Sequence, residues 1–176
     1  MLVIFSGTYG VGKTHFILHL AKNNNYKIIP TYTTRELRIN EREKIHIGKD
    51  DFVKSNNKFL YTKEHFDEYY GIKKLDIELA CFEKDVWMID FPIEKVNEIR
   101  QYPYKLIVIL PIDKAQIIDN LTIDNRINRI DLAIQDYYNN YMNLSSKYSG
   151  TNTLVVINYF DKFQENINLI NSFLNY

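Results

Sequence analysis

Short apolar runs rich in β-branched residues recur at residues 2–5, 28–29, 86–89, 106–110 and 154–157. Runs of this length without polar alternation predict strands buried on both faces. Between them lie stretches with helical spacing, at residues 13–23, 73–83, 93–101, 114–121 and 125–147, and a last one at 160–174. Strands separated by helices predict βαβ units, hence an α/β three-layer sandwich: a core parallel five-stranded sheet with helices on both faces. Residues 32–70 break the rhythm with mixed charges, many Asn and Asp, and two candidate short strands at 44–47 and 58–62. An excursion of that length between core strands predicts a substrate-handling insertion.

Composition limits the partners more than the fold. At 176 residues the chain suits one domain, 1–176, with a sizeable core. Lys+Arg and Asp+Glu both number 22, which removes any charge-based case for a nucleic-acid partner. Cys81 stands alone, so no internal disulfide or thiol pair is expected. No basic leader precedes the opening apolar run, and residues 106–110 are far short of the roughly 20 needed to span a bilayer. The expectation is a cytoplasmic protein with small-molecule partners and no membrane contact; oligomeric state is not encoded in any of these patterns.

The most specific chemistry is Gly7-Thr8-Tyr9-Gly10-Val11-Gly12-Lys13-Thr14, a Gly-x-x-x-x-Gly-Lys-Thr phosphate loop. It follows an expected strand and opens an expected helix, the context this motif requires. Gly7, Gly10 and Gly12 let the backbone turn and keep Cβ atoms away from an anion. The N–H groups of Tyr9, Val11 and their neighbours then cradle phosphates with a helix N-terminus behind them. Lys13 supplies a charge to the β- and γ-phosphates, and the Thr14 hydroxyl is the expected Mg²⁺ ligand. The fold expectation sharpens to a P-loop NTPase sandwich using ATP and Mg²⁺.

Other candidates have two open readings each. Asp90 ends the run Val86-Trp87-Met88-Ile89 at the sheet edge where ligands bind, to order the Mg²⁺ shell or the acceptor. Alternatively it merely ends a strand before Pro92. Arg35 and Arg38 suit a second anion such as an acceptor phosphate, or pair with Glu36, Glu41 and Glu43 on the surface. Tyr70, in Tyr69-Tyr70-Gly71, adds a hydroxyl to the same anion. Arg126 and Arg129, spaced i,i+3 at the start of a helix, share a face and suit a transferring phosphoryl group, or pair with Asp124 and Asp131. His15 and His19 lack the partners of a zinc site. The stripe Tyr137, Tyr138, Tyr141 reads as packing.

Together these segments resemble the guanylate kinase family of P-loop nucleoside monophosphate kinases. Ser6 to Thr14 resembles its phosphate loop; Thr33-Thr34-Arg35-Glu36-Leu37-Arg38-Ile39-Asn40-Glu41 resembles its Thr-Thr-Arg-x-x-Arg-x-Gly-Glu segment, with Asn40 for the glycine. Phe59-Leu60-Tyr61, Tyr69-Tyr70-Gly71 and Val155-Val156-Ile157-Asn158 follow in the family's order. The resemblance implies a core sheet, an acceptor-binding insertion (residues 32–70) and a lid, here shortened, at 120–130. It implies phosphoryl transfer from ATP to a nucleoside monophosphate, GMP first. Arg35, Arg38 and Tyr70 would hold the acceptor phosphate, Lys13, Thr14, Arg126 and Arg129 the triphosphate and transferring group, and Asn158 would lie near adenine. At the base-reading positions the chain departs: Tyr61 replaces a glutamate, Ile72 a Ser/Thr, and Pro92 the second strand-end aspartate. Glu64 and Glu68 are candidates to replace the lost carboxylate. The departures leave open another nucleotide or a phosphorylated sugar; a non-catalytic scaffold has no need of the intact Lys13-Thr14 pair.

Overall fold

The computed structural model describes residues 1–39, 41–141 and 152–175. Five parallel strands form the core sheet in the order β2-β7-β1-β8-β9: β1 (Leu2–Ser6), β2 (Lys27–Ile28), β7 (Trp87–Asp90), β8 (Tyr104–Leu110) and β9 (Thr153–Ile157). The central strand β1 is buried throughout, and its side chains alternate between two cores as period-2 geometry demands. Val3 and Phe5 pack with Phe16, Ile17, Leu20, Ile117 and Ile170. Leu2 and Ile4 pack on the opposite face with Ile77, Ala80, Val96 and Ile99. Helices α1 (Lys13–Asn24), α4 (Lys114–Ile123), α5 (Ile130–Asp136) and α6 (Phe163–Asn175) contribute to the first core. Helix α3 (Lys74–Phe82) and a 3-10 segment (Ile93–Ile99) contribute to the second. The three-layer P-loop NTPase sandwich is therefore the fold.

Three local expectations are corrected. The strand at 154–157 is buried on one face only, with Val155 and Ile157 45% and 42% exposed, whereas at the other sheet edge Ile28 and Ile29 do pack into opposite cores. Residues 93–101 make a 3-10 segment, because Pro92 before Ile93 sets its start and the stretch is too short and β-branched to propagate an α-helix. The single helix expected at 125–147 is broken into a 3-10 turn (Ile127–Arg129), α5 and a π-helical turn (Tyr137–Tyr141). Its portion at 142–147, like Asn40, lies outside the described residues. Among the described residues no helix is long and apolar enough to cross a membrane.

The insertion holds more structure than two strands. β3 (Thr31–Thr33), β4 (Lys44–His46), β5 (Phe59–His65) and β6 (Glu68–Lys73) form a second sheet in the order β4-β3-β6-β5, with the short helix α2 (Lys49–Lys54) between β4 and β5. β5 and β6 are an antiparallel hairpin pinned by stacked Phe52 and Phe59 rings 4.4 Å apart. Gly71 of β6 runs under this pair: a Cβ there would sit 2.7 Å from the Phe59 ring.

Candidate functional site

Between the two sheets lies a cleft of about 800 Å³, walled on one side by the phosphate loop and on the other by the insertion. The loop begins where β1 ends and is fixed from below by side chains distant in sequence. Gly7 donates its N–H to the Tyr141 hydroxyl (3.1 Å), which also meets Ser6 Oγ at 3.2 Å. Thr8 Oγ1 donates to the Ala133 carbonyl (2.8 Å), Asn120 Nδ2 to the Gly10 carbonyl (2.6 Å) and Asn158 Nδ2 to the Val11 carbonyl (2.9 Å). Outward-turned carbonyls are thus satisfied by the scaffold, which leaves inward N–H groups to face an anion. Two glycines are obligatory. A Cβ on Gly7 would lie 2.4 Å from the Ile109 carbonyl, and Gly12, with φ 87°, caps α1 in the left-handed region.

Lys13 arches back over the loop and donates to the carbonyls of Gly7 (2.7 Å) and Thr8 (3.0 Å). Its Nζ is 3.8 Å from Asp90 at the end of β7. Asp90 is half exposed, Thr14 is exposed, and both line the cleft. These two oxygens fit a Mg²⁺ held mainly by phosphates and water, the mode Mg²⁺ favours. Among the described residues there is no group of three or more His, Cys, Asp or Glu that would make a protein-only cage.

On the opposite wall Arg35 is locked by Glu41, its Nη2 reaching both carboxylate oxygens at 2.8 and 2.7 Å. Glu41 also takes the Arg38 N–H (2.9 Å) and Lys44 Nζ (2.6 Å), so one carboxylate shapes the whole turn. Burial pushes the Glu41 pKa up, but these hydrogen bonds and the Lys44 charge reverse it and hold it at about 2. Arg38 forms no salt bridge among the described residues. Its pKa is lowered by burial and by Arg35, against Glu41, and further by Arg126 and Arg129. A guanidinium surrounded by other guanidiniums is electrostatically prepared for an anion.

Arg126 and Arg129 also line the cleft. Arg126 is ion-paired to Asp124, while the Arg129 guanidinium lies 5.3 Å from the centre of the Tyr9 ring. They sit at the two ends of a 3-10 turn rather than on the face of one long helix. Residues 120–130 are the end of α4, a tight turn at Asp124 and Asn125, and this 3-10 segment.

Several expectations change at this level. The Asn158 side chain is buried beneath the loop and committed to Val11, so it serves as a brace as well as a cleft-lining group. The Val11 side chain is wholly in the core, which leaves only its backbone for a phosphate. Glu64 points outward from β5, and the Glu68 carboxylate is taken by the Thr34 hydroxyl; neither lines the cleft. The cleft instead presents Tyr61, its ring tilted 59° to that of Phe91 with centres 5.4 Å apart, together with Thr31 and Glu94. Burial, then the charges of Glu94, Tyr9 and Glu98, raise the Tyr61 pKa, so its hydroxyl keeps its proton. Ile72 is buried in the core, with no group to offer a base. His15 and His19 pack edge-on against Phe163.

Sequence reasoning missed Tyr141, Asn120, Lys63, His65 and Glu94 as members of the site. Only period-2 alternation on β5, where Tyr61, Lys63 and His65 share one face, carried a signal for any of them.

No family model matches the chain. Guanylate kinase of Mycoplasmopsis synoviae is 30% identical over 122 residues, 61% of this chain and 62% of that protein. The chain thus spans less than two thirds of the curated relative it matches. Among solved structures, guanylate kinase from Anaplasma phagocytophilum superposes with a TM-score of 0.66 at 16% identity, covering 99% of this chain and 84% of its own. Deoxyadenosine kinase of M. mycoides, solved with products dCMP and a flexible dCDP bound, gives 0.51 at 13% identity, with 99% of each chain covered. Homology to the guanylate kinase family is low in identity and consistent between sequence and fold.

Proposed function

We propose that this protein transfers the γ-phosphoryl group of ATP, in the presence of Mg²⁺, to the phosphate of a nucleoside monophosphate. One arrangement supports this above all: the phosphate loop with Lys13, Thr14 and Asp90 faces Arg35, Arg38 and Tyr70 across a single cleft. Two anion sites opposed in this way bring a donor and an acceptor phosphate together, and positioning plus charge neutralisation is most of what phosphoryl transfer asks of a protein. Loop N–H groups and Lys13 hold the donor phosphates; Arg38, with Arg35 and Tyr70, holds the acceptor phosphate. Thr14 and Asp90 would hold Mg²⁺, which when bound neutralises charge on the β- and γ-oxygens. An acceptor phosphate oxygen is already anionic near neutrality, so no general base is needed. Arg126 and Arg129 converge on the transferring group from the lid side.

GMP is the acceptor that the family resemblance implies. A second reading, another nucleotide or a phosphorylated sugar, is favoured by Tyr61 and by the buried Ile72. A tyrosine hydroxyl cannot reproduce a carboxylate's two-point grip on guanine, a loss of roughly 2–5 kcal/mol. Coupled ADP release with ATP, Mg²⁺ and each ribo- and deoxynucleoside monophosphate, with sugar phosphates alongside, decides between them. Lys13→Ala is expected to lower turnover of the best acceptor by at least about a hundredfold while leaving the circular dichroism spectrum unchanged. Undiminished turnover in that variant would sink the kinase reading.

A further inference from the structure

Strand β5 turns Tyr61, Lys63 and His65 toward the cleft and Thr62 and Glu64 toward solvent. In the β5–β6 ladder Lys63 stands directly opposite Tyr70. Side chains of directly opposed residues leave the same face about 5 Å apart, so the Lys63 stem starts beside the tyrosine that lines the cleft with Arg35 of the acceptor clamp. Its other end is across the cleft. Lys63 Nζ donates to the Tyr9 hydroxyl at 3.3 Å and lies 5.6 Å from the centre of that ring. Tyr9 belongs to the phosphate loop and directly follows Thr8, whose carbonyl holds Lys13 Nζ. Lys63 therefore spans from the acceptor clamp to the donor loop.

The charges around Tyr9 are not balanced. Arg129 approaches the same ring at 5.3 Å, and the His65 ring stacks on it at 5.9 Å, 12° from parallel. Neither Lys63 nor Arg129 forms a salt bridge among the described residues; a neutral aromatic ring is what they share. His65 cannot supply the missing anion, and its Nε2 is buried without a hydrogen-bond partner. Burial, then Arg129 and Lys63, lower its pKa, so it stays neutral beside them. Two cations drawn to one ring, partly buried and without a salt bridge, favour the entry of a polyanion.

We propose that Lys63 meets the transferring phosphoryl group, adding from the acceptor insertion a further cation to those of Arg126 and Arg129. The inference rests on the phosphotransferase reading above. In the step, an acceptor phosphate oxygen forms a bond to the γ-phosphorus while the bond to the β–γ bridging oxygen breaks. ADP leaves with that electron pair. Lys63 remains an ammonium throughout and exchanges its Tyr9 hydrogen bond for phosphoryl oxygens, using donors that an ammonium has to spare. Its contact with Tyr9 is the resting position that keeps the charge over the loop.

Steady-state kinetics of the full chain with ATP, Mg²⁺ and its best acceptor test this. Lys63→Met is expected to lower kcat by about a hundredfold or more, as loss of one transition-state donor does, with KM for both substrates within about threefold. Lys63→Arg should restore most of that loss, since a cation of similar reach is returned. Should Lys63→Met fold poorly by thermal unfolding, Lys63→Gln and its affinity for a dinucleoside pentaphosphate, which carries both nucleosides and the phosphates between them, replace it; at least tenfold weaker binding is expected. An unchanged kcat, a change confined to KM, or unaltered pentaphosphate affinity overturns the role of Lys63 while leaving the kinase reading intact. A wild-type chain that transfers phosphate to no acceptor overturns both.

Discussion

Glu41 holds the turn after β3 together through four hydrogen bonds: two from Arg35, one from the Arg38 N–H and one from Lys44. Because it is both charged and largely buried, its protonation is coupled to folding. The folded-state pKa of about 2 lies below the ordinary value of 4.5, so its stabilising effect is complete above 4.5 and is lost as pH falls toward 2. His65, whose pKa is lowered from 6.5, works in the same sense at higher pH, since its neutral form is the one the fold favours. In thermal unfolding between pH 6 and pH 3, Glu41→Gln is expected to show a shallower fall in Tm below pH 4.5 than the parent chain. Parallel curves would mean that Glu41 carries no folding linkage. Arg38 benefits indirectly: with Glu41 spent on Arg35 and Lys44, its guanidinium is left for a ligand.

Among the elements, the π-helical turn Tyr137–Tyr141 decides how the phosphate loop is braced. Such a turn holds one residue more than an α-turn and is retained where it aims a side chain. Here it follows α5 and delivers the Tyr141 hydroxyl to Gly7 and Ser6. Tyr141→Phe removes that hydroxyl and leaves the turn in place. The expected result is at least about a tenfold rise in KM for ATP with secondary structure preserved; an unaltered KM would show the brace to be dispensable. That turn also marks where sequence reasoning stops. The phosphate loop, β1, β7 and β8 were legible because glycine spacing and uninterrupted β-branched runs are local signals. β3 and β6 were not, since Thr31–Thr33 and Glu68–Lys73 are short and lack an uninterrupted apolar run, and become strands only by pairing within the second sheet. Tyr141 read as packing because its hydroxyl partners are more than a hundred residues away. Lys63 was invisible for a similar reason: its neighbour is Tyr9, on the other wall.

At the scale of the molecule, both anion sites open into one cleft, so a ligand that fills both ties the two sheets together. A dinucleoside pentaphosphate present at a hundred times its Kd adds about 2.7 kcal/mol to stability. For a chain of this size that is expected to raise Tm by about 5–10 °C, whereas ATP or a monophosphate at the same molar concentration engages only one wall, binds more weakly and should raise it less. No additional shift in Tm with Mg²⁺ present would argue against a shared compartment. The insertion sheet, from Thr31 to Lys73, carries Arg35, Arg38, Tyr61, Lys63 and Tyr70 in one unbroken stretch. The phosphate loop, Asp90, Arg126 and Arg129, which line the rest of the cleft, lie wholly outside it. One wall of the cleft is therefore a contiguous cassette with two splice points, so exchanging residues 31–73 alone would replace that wall and leave the phosphate loop untouched.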